Sequence, residues 1–401
     1  MSDVTPARTV PADDPARAVG RRFAGLEGYR GLAALAIVVY HVYQHVEAAD
    51  PGSLGAQDSA SYTALHGLDG LVSLFFVLSA FLLFLPYARA VLGGGDGPSG
   101  RAFLVRRAAR IVPLYLVAIL VVWSARNSDI PGAWQDLLLH LTFTQVYSND
   151  YVFATIGPAW SLAVEVQFYL LLALLGAGLT AWGRRLSARG RLVLLVSTVS
   201  VMFVGSLAYK LSSWLVTGVY GDDWRVWFGL PAKLDEFALG MGLAVVVAIG
   251  RVRLGRAAVE VTRLVGLGIV VAAFILRPDG AGTHAWFHTV TAVGFAAMLA
   301  ASVLGRGDWW TTTLGRQPLA LLGLVSYSLY LWHEPLMLLL NSRGLLPTAT
   351  GLPGFAVLLA IVVPLAVLVA WVSYQVIERP GNALRGLVDR QGRSRDYYDG
   401  S

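Results

Sequence analysis

A series of apolar runs, each close to the length of a membrane-spanning helix and separated by short polar connections, constrains this chain most. A bilayer core of about 30 Å requires about 20 helical residues. Ten runs approach this length, at residues 31–48, 70–88, 111–125, 159–180, 191–210, 229–250, 264–276, 285–304, 318–340 and 354–377. Only 14% of the residues are charged, against roughly 25% in soluble domains. The sequence therefore excludes a soluble globular protein and predicts an all-α transmembrane helix bundle of about ten spans.

One further stretch, residues 134–147, is not counted as a span. His140 and several other polar residues interrupt its leucines, a pattern that favours an interfacial or re-entrant helix. We expect His140, like His45 near the end of the first run, to lie at the membrane interface.

Arginine residues are concentrated in alternate connections between the predicted spans. These connections are residues 89–110, 184–191, 251–263 and 306–316. Because cytoplasmic loops of membrane proteins are enriched in Lys and Arg, they are expected to face the cytoplasm, together with both termini. The predicted organisation is a transmembrane domain at residues 26–380 of a multi-pass protein of the cell membrane, with cytoplasmic tails at residues 1–25 and 381–401. This orientation explains the net charge of +6, and no basic run interleaved with aromatic residues indicates nucleic-acid binding.

The chain contains no cysteine. Disulfides, Cys-ligated zinc, iron–sulfur clusters and a thioester on the protein's own thiol are therefore excluded.

The few ionisable residues inside the apolar runs are the candidate functional residues, because a charged group at mid-membrane costs roughly 2.5 to 3.5 kcal/mol on insertion scales. In the first run His41 follows Arg30 by eleven positions, about 16 Å along a helix. Glu165 in the fourth run and His333 in the ninth lie at a depth similar to that of His41 in the predicted topology. A neutral histidine flanked by a carboxylate is what removal of a hydroxyl proton by a general base requires.

Each candidate also has a structural interpretation. His41 can form a hydrogen bond between helices, and Glu165 can pair with an arginine. The arginines at positions 106, 107 and 110 can serve only to orient the helix, or they can hold a polyphosphate ligand. His41 and His45 are one turn apart, but no third ligand follows at a fixed spacing, so no metal site is predicted.

Five motifs occur in order along the chain. They are Glu27-Gly28-Tyr29-Arg30-Gly31-Leu32 continuing to Tyr40-His41, then Arg106-Arg107-Ala108-Ala109-Arg110 continuing to Pro113, then Trp160-Ser161-Leu162 with Glu165 and Phe168-Tyr169, then Ser326-Tyr327-Ser328-Leu329-Tyr330-Leu331-Trp332-His333-Glu334-Pro335, and finally Glu378-Arg379-Pro380. Together they resemble acyltransferase family 3, the integral-membrane acyltransferases that modify sugars, cell-envelope polymers and secondary metabolites.

The resemblance implies transfer of an acyl group from cytoplasmic acyl-CoA to a hydroxyl of a sugar, an envelope glycan or a secondary metabolite. His41 would act as the general base, with Glu165 orienting it or stabilising its charge, and Tyr327 or His333 would assist at the developing oxyanion. Acyl-CoA would be a co-substrate, with no bound cofactor. The residues that would bind the donor phosphates are Arg30, Arg106, Arg107 and Arg110.

This chain differs from many members of the family in two features. Ser73 stands where a carboxylate is usual, so we expect the role of that carboxylate to be absent or to be supplied by Asp69, one turn earlier. Some relatives carry an appended esterase-like domain, whereas this chain ends about twenty residues after the last predicted span, as a stand-alone form would. The alternative function is a secondary transporter that exports an acylated or acidic small molecule.

Overall fold

The computed structural model describes residues 15–55, 59–127, 131–277, 280–305, 309–348 and 350–381. Within these ranges the regular secondary structure is helical and includes no strand, which confirms the all-α prediction. Most of the two predicted tails, residues 1–14 and 382–401, lies outside the described residues.

Fifteen α-helices are present in the described part of the chain. They are α1 Pro15–Ala49, α2 Ala60–His66, α3 Val72–Gly93, α4 Gly100–Arg126, α5 Trp134–Leu141, α6 Ala159–Gly183, α7 Ala188–Leu211, α8 Trp224–Trp227, α9 Leu234–Ile249, α10 Arg256–Ile275, α11 His288–Leu304, α12 Trp309–Leu314, α13 Leu319–Leu324, α14 Ser326–Ser342 and α15 Gly351–Ser373. Short 3₁₀ turns cover Gly67–Leu71, Gln145–Tyr147 and Leu230–Lys233, and π-helical turns cover Ser212–Val216, Thr283–Phe287 and Tyr374–Glu378.

Eight helical stretches in the described residues are long and apolar enough to cross a membrane. They are Gly25–Ala49, Ala60–Gly93, Gly100–Arg126, Ala159–Gly183, Ala188–Val216, Arg256–Ile275, Thr283–Leu304 and Gly351–Gly381. Each coincides with one of the ten predicted runs. The other two runs correspond to shorter helices, α9 with 16 residues and α14 with 17, or about 24 to 26 Å at 1.5 Å per residue. Eight spans are therefore supported by length and composition, and the predicted number of ten is not confirmed.

The segment at residues 134–147 is not a span, as predicted, because α5 has only eight residues. The place of His140 at the membrane interface stays a prediction, and its side chain is fully buried within the protein. Its Nδ1 lies 2.9 Å from Asp136 Oδ1, and Thr155 donates to the other oxygen of that carboxyl at 2.5 Å. Tyr115 of α4 donates to the His140 carbonyl at 3.0 Å. These bonds attach α5 to the bundle through its polar face.

Small residues let the helices approach closely, as is usual in membrane bundles. A Cβ placed on Gly240 of α9 would lie 2.1 Å from the Val77 carbonyl oxygen of α3. Gly266 of α10 and Gly294 of α11 contact each other. A Cβ added to Gly266 would lie 2.6 Å from the Gly294 carbonyl oxygen, and a Cβ added to Gly294 would lie 2.7 Å from the Gly266 carbonyl oxygen. Close packing around α3 supports the central core, where Phe168 of α6 stacks on Phe237 of α9 with ring centroids 3.9 Å apart.

The connections group at the two ends of α6 in the way that the arginine pattern predicts. At its C-terminal end Arg184 contacts Asp96 at 2.5 Å, so the connections after α3 and α6 lie together. Before its N-terminal end, Asn149 donates to Asp223 at 3.1 Å, which joins the connections after α5 and α7. Two of the arginine-rich connections, those after α3 and α6, therefore share one end of the bundle, and the acidic connections after α5 and α7 share the other.

Candidate active site

Tyr330 of α14 lines two cavities in the described part of the bundle. The smaller, called here the arginine cavity, has a volume of about 80 Å³ and is lined by polar residues Arg30, Ser79, Arg107, Arg110, Ser161, Glu165, Tyr169, Ser326, Tyr327 and Tyr330. The larger, the histidine cavity, has a volume of about 770 Å³ and is lined by polar residues Tyr40, His41, Gln44, His66, Asp69, Arg277, His284, His288, Tyr330 and Glu334, among others. Helix α1 contributes to both, because Arg30 and His41 lie eleven residues apart along it.

The arginine cavity concentrates positive charge inside the membrane domain. Arg107 and Arg110 lie three positions apart on α4 and therefore on one face of that helix, and Arg30 of α1 lines the same space. The Nε atoms of Arg30 and Arg107 are buried and have no hydrogen-bond partner among the described residues. Buried polar groups are normally paired, so these guanidinium groups favour an anionic or polar ligand. Arg106, the fourth predicted donor contact, does not line the cavity.

Glu165 of α6 lines the arginine cavity and not the histidine cavity. Ser79 of α3 donates a hydrogen bond to its carboxylate. Tyr169, one turn further along α6, lines the same space. The structure thus groups Glu165 with the arginines, and it does not bring this carboxylate into the cavity that His41 lines.

His41 lines the histidine cavity, and His333 lies behind that lining beside His41, with ring centroids 4.9 Å apart. His333 Nδ1 is 3.0 Å from the Leu329 carbonyl oxygen, and its Nε2 is buried without a partner in the described residues. A carbonyl only accepts, so Nδ1 carries the proton in the neutral ring and Nε2 is an acceptor. This tautomer suits a base better than an oxyanion donor.

Tyr327 and Tyr330 project from the same helix but use their hydroxyl groups differently. Tyr327 donates to the Ile111 carbonyl of α4 at 2.8 Å, which engages the proton that an oxyanion contact would need. The Tyr330 hydroxyl lies 2.7 Å from Ser161 Oγ and 3.1 Å from the Pro158 carbonyl oxygen. These contacts fix the Tyr330 ring between the two cavities.

The sequence comparisons agree with this arrangement of residues. A family model described as "Acyltransferase domain", that of acyltransferase family 3, matches residues 23–374.

The chain belongs to acyltransferase family 3.

Its relatives include O-acetyltransferase OatA of Staphylococcus aureus, 25% identical over 388 residues, which cover 90% of this chain and 57% of OatA. The putative membrane-bound transacylase BcsY of Komagataeibacter xylinus is 26% identical over 376 residues, which cover 89% of this chain and 82% of BcsY. The chain thus spans little more than half the length of OatA. No solved structure matches it. The predicted family is confirmed, and with it the predicted class of an acyltransferase that transfers groups other than amino-acyl groups.

The family motifs do not include several charged residues that line the histidine cavity. Arg277 donates to Asp69 through both terminal nitrogens, with Nη2 at 2.8 Å from Oδ2. These residues are 208 positions apart, and no local pattern links them. His284 and His288, by contrast, lie one helical turn apart around the start of a predicted apolar run, so their spacing was a readable signal.

Ser73 lies close to a carboxyl group of another helix. Ser73 is fully buried on α3, and the Glu236 carboxyl of α9 faces it. Lys233 Nζ lies 3.3 Å from Glu236 Oε1. Asp69 is instead paired with Arg277. A carboxyl therefore reaches Ser73 from another helix, which the spacing within one helix does not reveal.

The connection after α7 carries Asp222 and Trp224 to the mouth of the histidine cavity. Arg225 Nε donates to Asp223 at 2.8 Å, and Asn149 accepts from the Arg225 amide at 3.0 Å. The hydrogen-bonded guanidinium lowers the pKa of the Asp223 carboxyl below its usual value, so this carboxyl stays ionised at neutral pH. These bonds hold the connection in place beside the cavity.

Proposed function

We propose that the protein is a membrane O-acyltransferase that moves an acyl group from acyl-CoA to a hydroxyl, with His41 as general base. The observation that carries the proposal is the pair of cavities that share Tyr330 as a wall: one is lined by partly unpaired arginines and the other by His41. A reaction between an anionic donor and a neutral acceptor needs two such compartments, one for each substrate.

The arginine cavity is the proposed donor side. Its volume of about 80 Å³ holds only a few non-hydrogen atoms, since one water needs roughly 10–15 Å³ by the same measure. The nucleotide of CoA would stay outside, and the thioester end would enter. Arg30, Arg107 and Arg110 would donate hydrogen bonds to the polarised thioester carbonyl inside the cavity, and their positive charge would attract the phosphates that stay outside. Arg106 would contribute charge nearby.

Glu165 would act on this donor side. Because it lines the arginine cavity and accepts from Ser79, its carboxylate would orient the arginines and not His41 directly. This assigns to Glu165 a positioning role.

The histidine cavity is the proposed acceptor side. Its volume of about 770 Å³ lies in the range of small-molecule sites, roughly 300 to 1,000 Å³. The aromatic side chains of Phe153, Trp160, Trp224 and Phe228 form part of its wall, opposite polar groups. A hydroxyl-bearing glycan or metabolite fits such a mixed surface.

The proposed chemistry balances without a covalent enzyme intermediate. His41 takes the proton of the acceptor hydroxyl as the oxygen attacks the thioester carbonyl. The carbon–sulfur bond then breaks, the proton passes to the leaving CoA thiolate, and the products are the ester and CoA. Tyr327 or His333 would contact the developing oxyanion only after their present hydrogen bonds or tautomer change.

The cellular setting is also proposed. The arginine-rich connections would face the cytoplasm, where acyl-CoA is made, in a cell-membrane protein with cytoplasmic termini.

The test is CoA release by the purified protein in nanodiscs, followed with a thiol reagent, with acetyl-CoA and a panel of hydroxyl acceptors. The chain has no cysteine, so the thiol signal comes from CoA alone. We expect acceptor-dependent release by the wild type and a loss of at least about 100-fold in His41→Ala, because general-base catalysis contributes typically 10² to 10⁴. His45→Ala, one turn away, is the matched control. Solute transport into vesicles without CoA release would instead support a transporter.

A further inference from the structure

We propose that Glu334 binds the acceptor, by accepting a hydrogen bond from a second hydroxyl next to the one that reacts at His41. This inference rests on the proposed function and adds to it the acceptor-binding residue and the feature of the acceptor that it recognises.

Glu334 lies on the face of α14 that borders the histidine cavity. His333 and Glu334 follow Tyr330 by three and four positions, so each lies about one turn from Tyr330 along the helix. The His333 ring contacts the His41 ring at a tilted angle, and Glu334 and His41 both line the cavity. Glu334 is thus a carboxylate on α14 that lines the same cavity as His41, whereas Glu165 lines the other cavity.

The carboxylate of Glu334 is held by the backbone at Gly157, just before α6. The Gly157 amide donates to Glu334 Oε2 at 2.7 Å. A Cβ at position 157 would lie 2.6 Å from Oε1 and 2.9 Å from Oε2. Only a glycine therefore lets the carboxylate approach this amide, and the contact fixes the direction of the side chain.

Most of the hydrogen-bonding capacity of this carboxylate is unused. A carboxylate offers about four lone-pair sites, and the Gly157 amide occupies one. Within the described ranges no Lys, Arg or His forms an ion pair with Glu334. A carboxylate that faces a ligand-sized cavity and forms no ion pair there is suited to a neutral donor such as a hydroxyl, because hydrogen bonds to charged groups contribute more than neutral ones.

The test compares Glu334→Gln with the wild type on acetyl-CoA and five probe acceptors, methyl α-D-glucopyranoside and its four monodeoxy analogues. Glutamine keeps the shape and still accepts from Gly157, but it removes the charge. With the wild-type protein, we expect one of the deoxy analogues to be acetylated with a kcat/KM about 10- to 100-fold below that of the parent glucoside. This is the effect of losing one hydrogen bond to a charged group. In Glu334→Gln the parent glucoside should fall to within about threefold of that analogue, with the KM for acetyl-CoA unchanged.

Two further variants separate binding from folding. Gly157→Ala keeps the carboxylate but displaces it, and should also remove the discrimination between glucoside and analogue. Glu47→Gln is the matched control, because Glu47 also accepts from a glycine amide, that of Gly52 at 2.5 Å, but does not line the cavity. It should behave as the wild type does.

Three results would overturn the inference. The first is that Glu334→Gln ranks the five acceptors as the wild type does, and the second is that the loss of activity in Glu334→Gln appears in the KM for acetyl-CoA. The third is that the wild type acetylates cyclohexanol but none of the glucosides. All three leave CoA release by the wild type intact. If no CoA is released with any acceptor or by hydrolysis, the proposed function fails as well.

Discussion

At the scale of single residues, the guanidinium of Arg107 gives the clearest test of the donor side. It lines the arginine cavity, and its buried Nε has no partner among the described residues. We expect Arg107→Gln to raise the KM for acetyl-CoA by about 10- to 100-fold, since a hydrogen bond to a charged group contributes about 1.5–3 kcal/mol. Steady-state CoA release at saturating acceptor measures this. Arg101→Gln, an exposed position on the same helix outside the cavity, is the control, and an equal effect of both changes would argue against the assignment.

Single residues also show how far sequence reasoning reaches into the site. Arg30 and His41 were identifiable because ionisable groups are rare in apolar runs, and each lines a cavity as a functional residue would. The pairing of His41 with Glu165 rested on similar depth and on the family resemblance. Depth does not specify which way a side chain points around its helix, and the structure directs Glu165 into the other cavity. Glu334 was passed over although it follows His333 directly, because its function depends on an amide 177 positions away.

At the scale of helices, the contact between α3 and α9 should depend on Gly240. A methyl group there would lie 2.1 Å from a backbone oxygen of α3, so the two helices would have to separate. We expect Gly240→Ala to destabilise the protein by about 1–3 kcal/mol, the usual cost of overpacking. The midpoint of thermal unfolding in detergent, followed by tryptophan fluorescence, measures the change.

Gly242→Ala is the matched control on the same helix. Its added methyl group would meet Val199 Cγ1 at 3.5 Å, an ordinary contact, and alanine favours the helix over glycine. We expect the midpoint of this variant to equal or exceed that of the wild type. Equal losses in both variants would mean that helix packing at Gly240 is not what limits stability.

Helices were the most predictable level of this molecule. Each apolar run became a helix because a bilayer leaves backbone polar groups no other partners. Length was less predictable: α9 and α14 begin later than their runs suggest, because turns at residues 230–233 and 325 precede them. The burial of His140 was not predicted, because composition shows that a residue is polar, but not that Asp136 and the surrounding bundle will enclose it.

At the scale of the whole molecule, orientation decides whether the arginine cavity can receive a cytoplasmic donor. The connections after α3 and α6 contact each other through Asp96 and Arg184, as expected if arginine-rich connections share the cytoplasmic side. The absence of native cysteine allows a direct test with single-cysteine variants. Ala188→Cys lies at an exposed position beside the arginine-rich connection, and Asp150→Cys lies at an exposed position beyond the other end of α6.

We expect a membrane-impermeant maleimide to label Asp150→Cys in intact cells and to label Ala188→Cys only after the membrane is permeabilised. The reason is that cytoplasmic connections retain arginine and the acidic connections cross to the outside. Both variants should retain CoA release, which shows that the labelled protein is folded. The reverse labelling pattern would place the Arg184 end outside, away from cytoplasmic acyl-CoA. The donor would then have to enter through the histidine cavity, and the assignment of the two cavities would be exchanged.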